Sequence, residues 1–231
     1  GKTEGPCVTA VHFPAVSREV PTVVYFHGNA DQIGWGAAYI GRALHEQYGV
    51  GFYGIEYPGY GTSRGLEISE ESMYLAAEQL LQHLQSPAGL GVDPSKVILF
   101  GQSIGGGVAV EMALRSFGTK LILLSPFLSV QAMAKSAFPV IRPGLWLVSW
   151  LVKDKFDNEA KAGRVPVPTL VIHGTEDGIV PFVQGKEMAA KLGCPLVEVR
   201  GGGHNDLFGS DFEPLVLHAM SDFAFPDKRS Q

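Results

Sequence analysis

The sequence predicts an α/β fold: one mostly parallel β-sheet with helices on both of its faces. Three observations carry this. Short, almost continuously apolar runs alternate with longer helical patterns along the whole chain. The runs lack the in-out alternation of half-exposed strands, as strands buried on both faces do. The connections between them are long enough for crossover helices, which is how parallel neighbours are joined.

Strands are expected at 22–26 (TVVYF), 50–55, 97–100, 120–124, 169–172 and 196–199, with a weaker candidate at 8–13. Helices are expected at 35–48, 70–85, 104–117, 183–192 and 212–225. In the second of these, Met73, Ala76, Ala77, Leu80, Leu81 and Leu84 recur at helical spacing on one face. Residues 125–168 break the alternation. They contain no strand pattern, several prolines and the aromatics Phe127, Phe138, Trp146 and Trp150. So long a stretch between core strands reads as a helical insertion over the carboxyl edge of the sheet, where α/β folds place their sites. Neither an internal repeat nor a Pro/Gly/Ser linker divides the 231 residues, so one domain over 1–231 is expected, with 125–168 inserted in it.

Composition narrows the function classes. A net charge of −5 without any Lys/Arg run argues against nucleic-acid partners. Cys7 and Cys194 are far apart and in no metal or redox spacing, which suits a reducing compartment. The first residues show no basic stretch followed by an apolar one, and the longest apolar run, 144–152, is far short of the roughly 20 residues of a spanning helix. A cytoplasmic location is expected, with a segment outside this chain as one route to membrane association.

The chemistry is concentrated at strand ends. Gly101-Gln102-Ser103-Ile104-Gly105 lies directly between the run 97–100 and a helix, the setting in which G-x-S-x-G forms a strained turn that lifts a serine nucleophile into a cleft. A serine needs a base held by a carboxylate, in the chain order Ser, acid, His on this architecture. The strand at 169–172 runs into His173-Gly174-Thr175-Glu176-Asp177-Gly178, and the next strand runs into Gly201-Gly202-Gly203-His204-Asn205-Asp206. Asp177 is the expected acid, preferred over Glu176 because a short carboxylate suits the Asp177-Gly178 turn, and His204 the expected base. Asp206 and Asp211 read as first-turn or capping acids of the last helix, and His173 as a structural histidine. Oxyanion donors are expected from the backbone N–H groups of Ile104, at the helix start, and of Asn29, in the Gly-containing loop after the strand at 22–26. No metal and no organic cofactor is implied.

Taken together, His27-Gly28-Asn29-Ala30, Tyr57-Pro58-Gly59-Tyr60-Gly61-Thr62-Ser63, the Ser103 turn, His173-Gly174-Thr175-Glu176-Asp177 and Gly203-His204-Asn205-Asp206 resemble the α/β-hydrolase superfamily. Within it they resemble most the Bem46-like serine hydrolases, which include relatives of the α/β-hydrolase-domain 13 and 17 proteins. The resemblance covers nearly the whole chain. It implies Ser103 as nucleophile, Asp177 as acid, His204 as base, and carboxylic esters or fatty-acyl thioesters as substrates. A serine at this turn argues against dehalogenases and epoxide hydrolases, which place an aspartate there. Depalmitoylating relatives reach membranes through a cysteine-rich lipidated N-terminus, whereas only Cys7 lies near the start here. The expected partner is a small-molecule or acyl-chain ester. Phe127, Phe138, Trp146 and Trp150 are the candidate acyl-pocket residues; core packing is the second reading for them and membrane contact the third. A serine peptidase or amidase, or a silent binding protein on the same fold, are the competing functions.

Overall fold

A computed structural model describes residues 8–29, 31–63, 67–137 and 154–225. Seven strands form one sheet: β1 (Ala10–Phe13), β2 (Thr22–Phe26), β3 (Gly51–Ile55), β4 (Val97–Gln102), β5 (Lys120–Leu124), β6 (Thr169–Gly174) and β7 (Leu196–Val199). Their order is β1-β3-β2-β4-β5-β6-β7, and only β1 runs antiparallel to its neighbour. The helices are α1 (Ala38–Tyr48), α2 (Glu70–Gln85), α3 (Ile104–Leu114), α4 (Val130–Ala137), α5 (Asn158–Ala162), α6 (Phe182–Leu192) and α7 (Glu213–Ala224).

Successive strand side chains point to opposite faces, and both faces are covered. In β2, Val24 and Phe26 enter one core with Leu81, Leu84, Met112 and Met188; Val23 and Tyr25 enter the other with Ile40, Leu44 and Met220. Burial on both sides is the reason the strand runs are continuously apolar. The chain moves outward from β2 to β3, then crosses back through α2 to lay β4 on the other side of β2. The carboxyl ends of β2 and β4 therefore flank the point where the winding reverses, the crevice in which such sheets bind ligands.

Several boundaries depart from expectation, three of them with consequences for the site. The helix expected to start at Trp35 instead opens with a π-helical turn, Ile33–Ala37. Asp31 Oδ1 accepts from the N–H groups of Gln32 and Gly36 at 2.7 and 3.0 Å and holds that wide turn. The helix expected to reach Phe117 ends at Leu114, where Ser116 and Gly118 take positive φ. Finally, β6 runs two residues past its expected end, so His173 lies inside the sheet.

Among the described residues of the insertion there is no strand, and α4 and α5 occupy its two ends. Those ends are tied together. Asn158 Nδ2 donates to the Phe127 carbonyl at 3.0 Å, the Glu159 N–H to Leu128 and the Val130 N–H to Lys155, both at 2.9 Å. The Glu70 carboxylate, at the start of α2, accepts from the N–H groups of Lys155 and Phe156.

The tightest constraint near the sheet's carboxyl edge is at Gly105, where a Cβ would come within 2.0 Å of the Phe26 carbonyl oxygen. Backbone cannot swing aside as a side chain does, so Gly105→Ala should cost at least the 1–3 kcal/mol typical of overpacking (about). Urea unfolding of the variant beside the parent measures it.

Candidate active site

The turn after β4 holds Ser103 at φ 53° and ψ −120°, a backbone region that a non-glycine residue occupies only when its surroundings impose it. The impositions are visible. The Ser103 N–H donates to the Leu124 carbonyl on β5, and the Ser103 carbonyl accepts from the Gly106 N–H, both at 2.9 Å. On either side, Gly101 and Gly105 allow α3 to fold back on the strand; a Cβ on Gly101 would lie 2.5 Å from the Gly105 carbonyl oxygen. Gly28 sits over this turn, where an added Cβ would stand 3.7 Å from the Ser103 Cβ.

The acid and histidine loops leave the neighbouring strands β6 and β7 and are stitched to each other. The Thr175 N–H donates to Val199 at 3.0 Å, the Glu176 N–H to Gly202 at 2.9 Å, and the Gly201 N–H to Thr175 Oγ1 at 2.9 Å. His204 Nδ1 lies 2.7 Å from Asp177 Oδ2. An ionised carboxylate only accepts, so Nδ1 carries the hydrogen and Nε2 is left with its lone pair. Glu176 is exposed, and the structure thus pairs His204 with Asp177 and not with its neighbour.

Both Asp177 oxygens are fully engaged. Oδ1 accepts from the N–H groups of Ile179 and Val180 at 2.9 and 2.7 Å, and Oδ2 lies 3.3 Å from His173 Nε2 besides His204. Burial pushes the Asp177 carboxyl upward, but hydrogen bonds from His173, His204 and Val180, with the charge of His204, outweigh it. The group is held well below the usual carboxylate range.

His173 is therefore more than the structural histidine expected. It is fully buried, with Nε2 also 2.9 Å from the Val180 carbonyl, so that nitrogen is the donor. Its Nδ1 has no hydrogen-bond partner among the described residues and faces Gly185, where a Cβ would come within 2.1 Å of it. Asp206 also departs from expectation. It does not cap the last helix, which begins at Glu213 after Phe212; its Oδ1 accepts from the Gly203 N–H at 2.7 Å and closes the His204 loop.

Ser103, His204 and Asn29 line one cavity of about 560 Å³, with Asp177 behind His204 and Ile104 next to Ser103 as the first residue of α3. The first N–H groups of a helix have no partner within it, which suits Ile104 as a donor to developing negative charge. The cavity walls carry Trp35, Tyr39, Ile179, Leu207 and Phe208, which the sequence pattern did not single out. Trp35 is 78 % and Ile179 56 % exposed, so apolar surface surrounds the mouth. Of the expected pocket residues, Phe127 is a correction in favour of core packing: it is 5 % exposed, packs in the core and is absent from the wall of this cavity, and its carbonyl is held by Asn158. Phe138, Trp146 and Trp150 lie outside the described residues. Among the described residues, no group of three His, Cys, Asp or Glu is placed to hold a metal ion, and no helix is long and apolar enough to cross a membrane.

A carboxyl depressed by folding stabilises the native state above its unfolded pKa, about 3.9, and loses that contribution as pH falls through its lower native value. The melting-temperature deficit of Asp177→Asn should accordingly be largest above about pH 4 and shrink below it. Thermal melts of both proteins from pH 7 to pH 3 check this.

Residues 18–161, more than half of the chain, match the family model described as serine aminopeptidase, S33, and residues 148–212 one described as TAP-like protein. The chain is 35 % identical over 196 residues to the alpha/beta hydrolase domain-containing protein aho-3 of Caenorhabditis elegans, covering 80 % of this chain and 53 % of that protein. It is 36 % identical over 191 residues to the alpha/beta hydrolase domain-containing protein 17C of Mus musculus, covering 80 % of this chain and 55 % of that one. The chain thus spans about half the length of these relatives. A monoacylglycerol lipase of Paleococcus ferrophilus shares the fold with a TM-score of 0.67 at 20 % identity, over 94 % of this chain and 98 % of that one. An esterase of Exiguobacterium antarcticum does so at 0.69 and 18 %, over 96 % and 97 %. With a family match across most of its strands, relatives named for the same domain and a sheet wound in the same way, the chain belongs to the α/β-hydrolase superfamily.

Proposed function

We propose that this protein cleaves carboxylic esters or acyl thioesters through Ser103, His204 and Asp177. The observation that carries the reading is the 2.7 Å bond from His204 Nδ1 to Asp177 Oδ2 on the cavity into which the strained Ser103 turn opens. Ser103 Oγ attacks the acyl carbon while His204 Nε2 takes its proton. Asp177 keeps the hydrogen on Nδ1 and balances the imidazolium that forms. The N–H groups of Asn29 and Ile104 receive the negative charge that develops on the acyl oxygen; such donors are worth about 2.7–4 kcal/mol each where measured. The imidazolium returns its proton to the departing alcohol or thiol. Water, deprotonated by His204, then attacks the acyl-enzyme and frees the acid and Ser103. The cavity walls carry the acid Asp31 but no Lys or Arg among the described residues, which supports a neutral acyl group over an anionic one.

One observation favours a second reading. The family model matching residues 18–161 is described as a serine aminopeptidase, and an amide would be cleaved by the same groups. Turnover of p-nitroanilides beside p-nitrophenyl esters separates the two.

kcat/KM across p-nitrophenyl esters from acetate to palmitate is the direct test. Ser103→Ala should lose at least about 10⁴-fold in kcat with the fold retained. Retained turnover would sink the assignment. A maximum at medium or long chains places lipid or acyl-protein substrates first, and a maximum at acetate or butyrate a small ester.

A further inference from the structure

A further buried histidine–carboxylate pair lies after β2 and β3, on the other side of β4 from the strands that carry Asp177 and His204, and the mechanism above does not use it. His27 and Glu56 follow the paired ends of β2 and β3, where Phe26 is in register with Ile55. Both are buried, His27 completely and Glu56 with 1 % exposed. His27 Nε2 is 2.9 Å from Glu56 Oε1, and His27 Nδ1 is 2.8 Å from the Gly28 carbonyl oxygen. A carbonyl oxygen only accepts, so Nδ1 carries a hydrogen. The pair then holds one further proton between Nε2 and Oε1, and its net charge is zero whichever atom keeps it.

The carbonyl held by His27 belongs to the peptide unit that joins Gly28 to Asn29. A peptide unit is planar and trans, so its C=O and N–H point in opposite directions. Fixing the Gly28 oxygen therefore fixes the direction of the Asn29 N–H. The same oxygen accepts from the Asp31 N–H at 3.3 Å, and a peptide whose oxygen already accepts hydrogen bonds is polarised into a stronger N–H donor. The ring is itself held. The Tyr57 ring lies 4.4 Å from it, centroid to centroid, and the Tyr57 hydroxyl donates to the His27 carbonyl at 3.0 Å. Glu56 Oε2 accepts from the Ile33 N–H at 3.4 Å, and the Tyr60 hydroxyl donates to the Asn29 side chain.

We propose that the His27–Glu56 pair is the positioning device of the oxyanion site: His27 sets the plane of the Gly28–Asn29 peptide, aiming the Asn29 N–H at the acyl oxygen of a substrate held above Ser103, and Glu56 fixes the ring. This rests on the hydrolytic reading for its catalytic consequence, but not for its geometry.

His27→Asn and His27→Gln separate positioning from mere packing. The Asn amide occupies the place of Nδ1 and still reaches the Gly28 oxygen; the Gln amide occupies the place of Nε2 and reaches only Glu56. The Gln variant should lose about 10²-fold in kcat for p-nitrophenyl butyrate at unchanged KM, while the Asn variant stays within about tenfold of the parent. A packing role predicts the reverse order, and equal losses or that reverse order overturn the proposal. Backbone ¹⁵N relaxation gives a readout independent of turnover. The Asn29 amide should be rigid, with an order parameter near about 0.85, in the parent and Asn variant, and fall below about 0.6 in the Gln variant. An unchanged order parameter in the Gln variant also overturns it. In the parent, ¹⁵N spectra of the imidazole should find the hydrogen on Nδ1 of His27; a bare Nδ1 ends the proposal whether or not the variants fold. If the parent neither turns over esters nor reacts with a fluorophosphonate, the hydrolytic reading fails, and relaxation still judges the peptide geometry.

Discussion

Bare backbone meeting bare backbone is what the site is built on. At Gly105 the first turn of α3 lies against the end of β2, with the Phe26 carbonyl where a side chain would otherwise stand. That approach brings the loop after β2 over the turn after β4, and it makes room for Gly28 beside Ser103. It also compels the tight reversal that leaves Ser103 at positive φ. The strain is local and the restraint is not: β5 holds the Ser103 N–H, α3 its carbonyl, and two cores press the sheet from either side. A serine placed this way has little freedom to relax away from its cavity.

The electrostatics follow the same logic of over-determination. Asp177 receives two backbone and two imidazole donors, so neither its rotamer nor its charge is free to vary. One of those imidazoles faces the cavity and the other the sheet. Such a carboxylate acts as a fixed reference charge for the ring in front of it, which is the property that electrostatic preorganisation requires.

Much of this was legible in the residues. Ser103, Asp177 and His204 each follow an apolar strand run, and parallel neighbours carry their carboxyl ends to one edge, so pattern alone brought the three to one place. Asp177 over Glu176 was readable from turn chemistry, and the structure shows the reason in the Ile179 and Val180 N–H groups that a short side chain can reach. What pattern could not carry was anything set by where a strand stops or how a turn is wound. His173 touches Asp177 because β6 runs on past the apolar residues. Trp35 and Tyr39 reach the cavity because a π-helical turn, held by Asp31, replaces the expected α-helical one. His27 and Glu56 are 29 residues apart and meet only through the register of β2 on β3. A faint signal existed there, two polar residues each directly after a fully apolar strand. Phe127 read as a pocket wall by composition, but it packs in the core, and the Asn158 bond to its carbonyl is one that no periodicity announces.

The tied ends of the insertion give the architecture a graft point. Three cross-links between residues 127–130 and 155–159 close that loop at its base, before the chain between them has been specified at all. For a loop whose ends are already joined, doubling its length costs only about 0.6 kcal/mol of closure entropy. A change of length between these two anchors is thus a small term beside the packing of the two cores on the sheet. The ties that hold this stretch and the residues that line the described cavity thus lie at separate places in the chain.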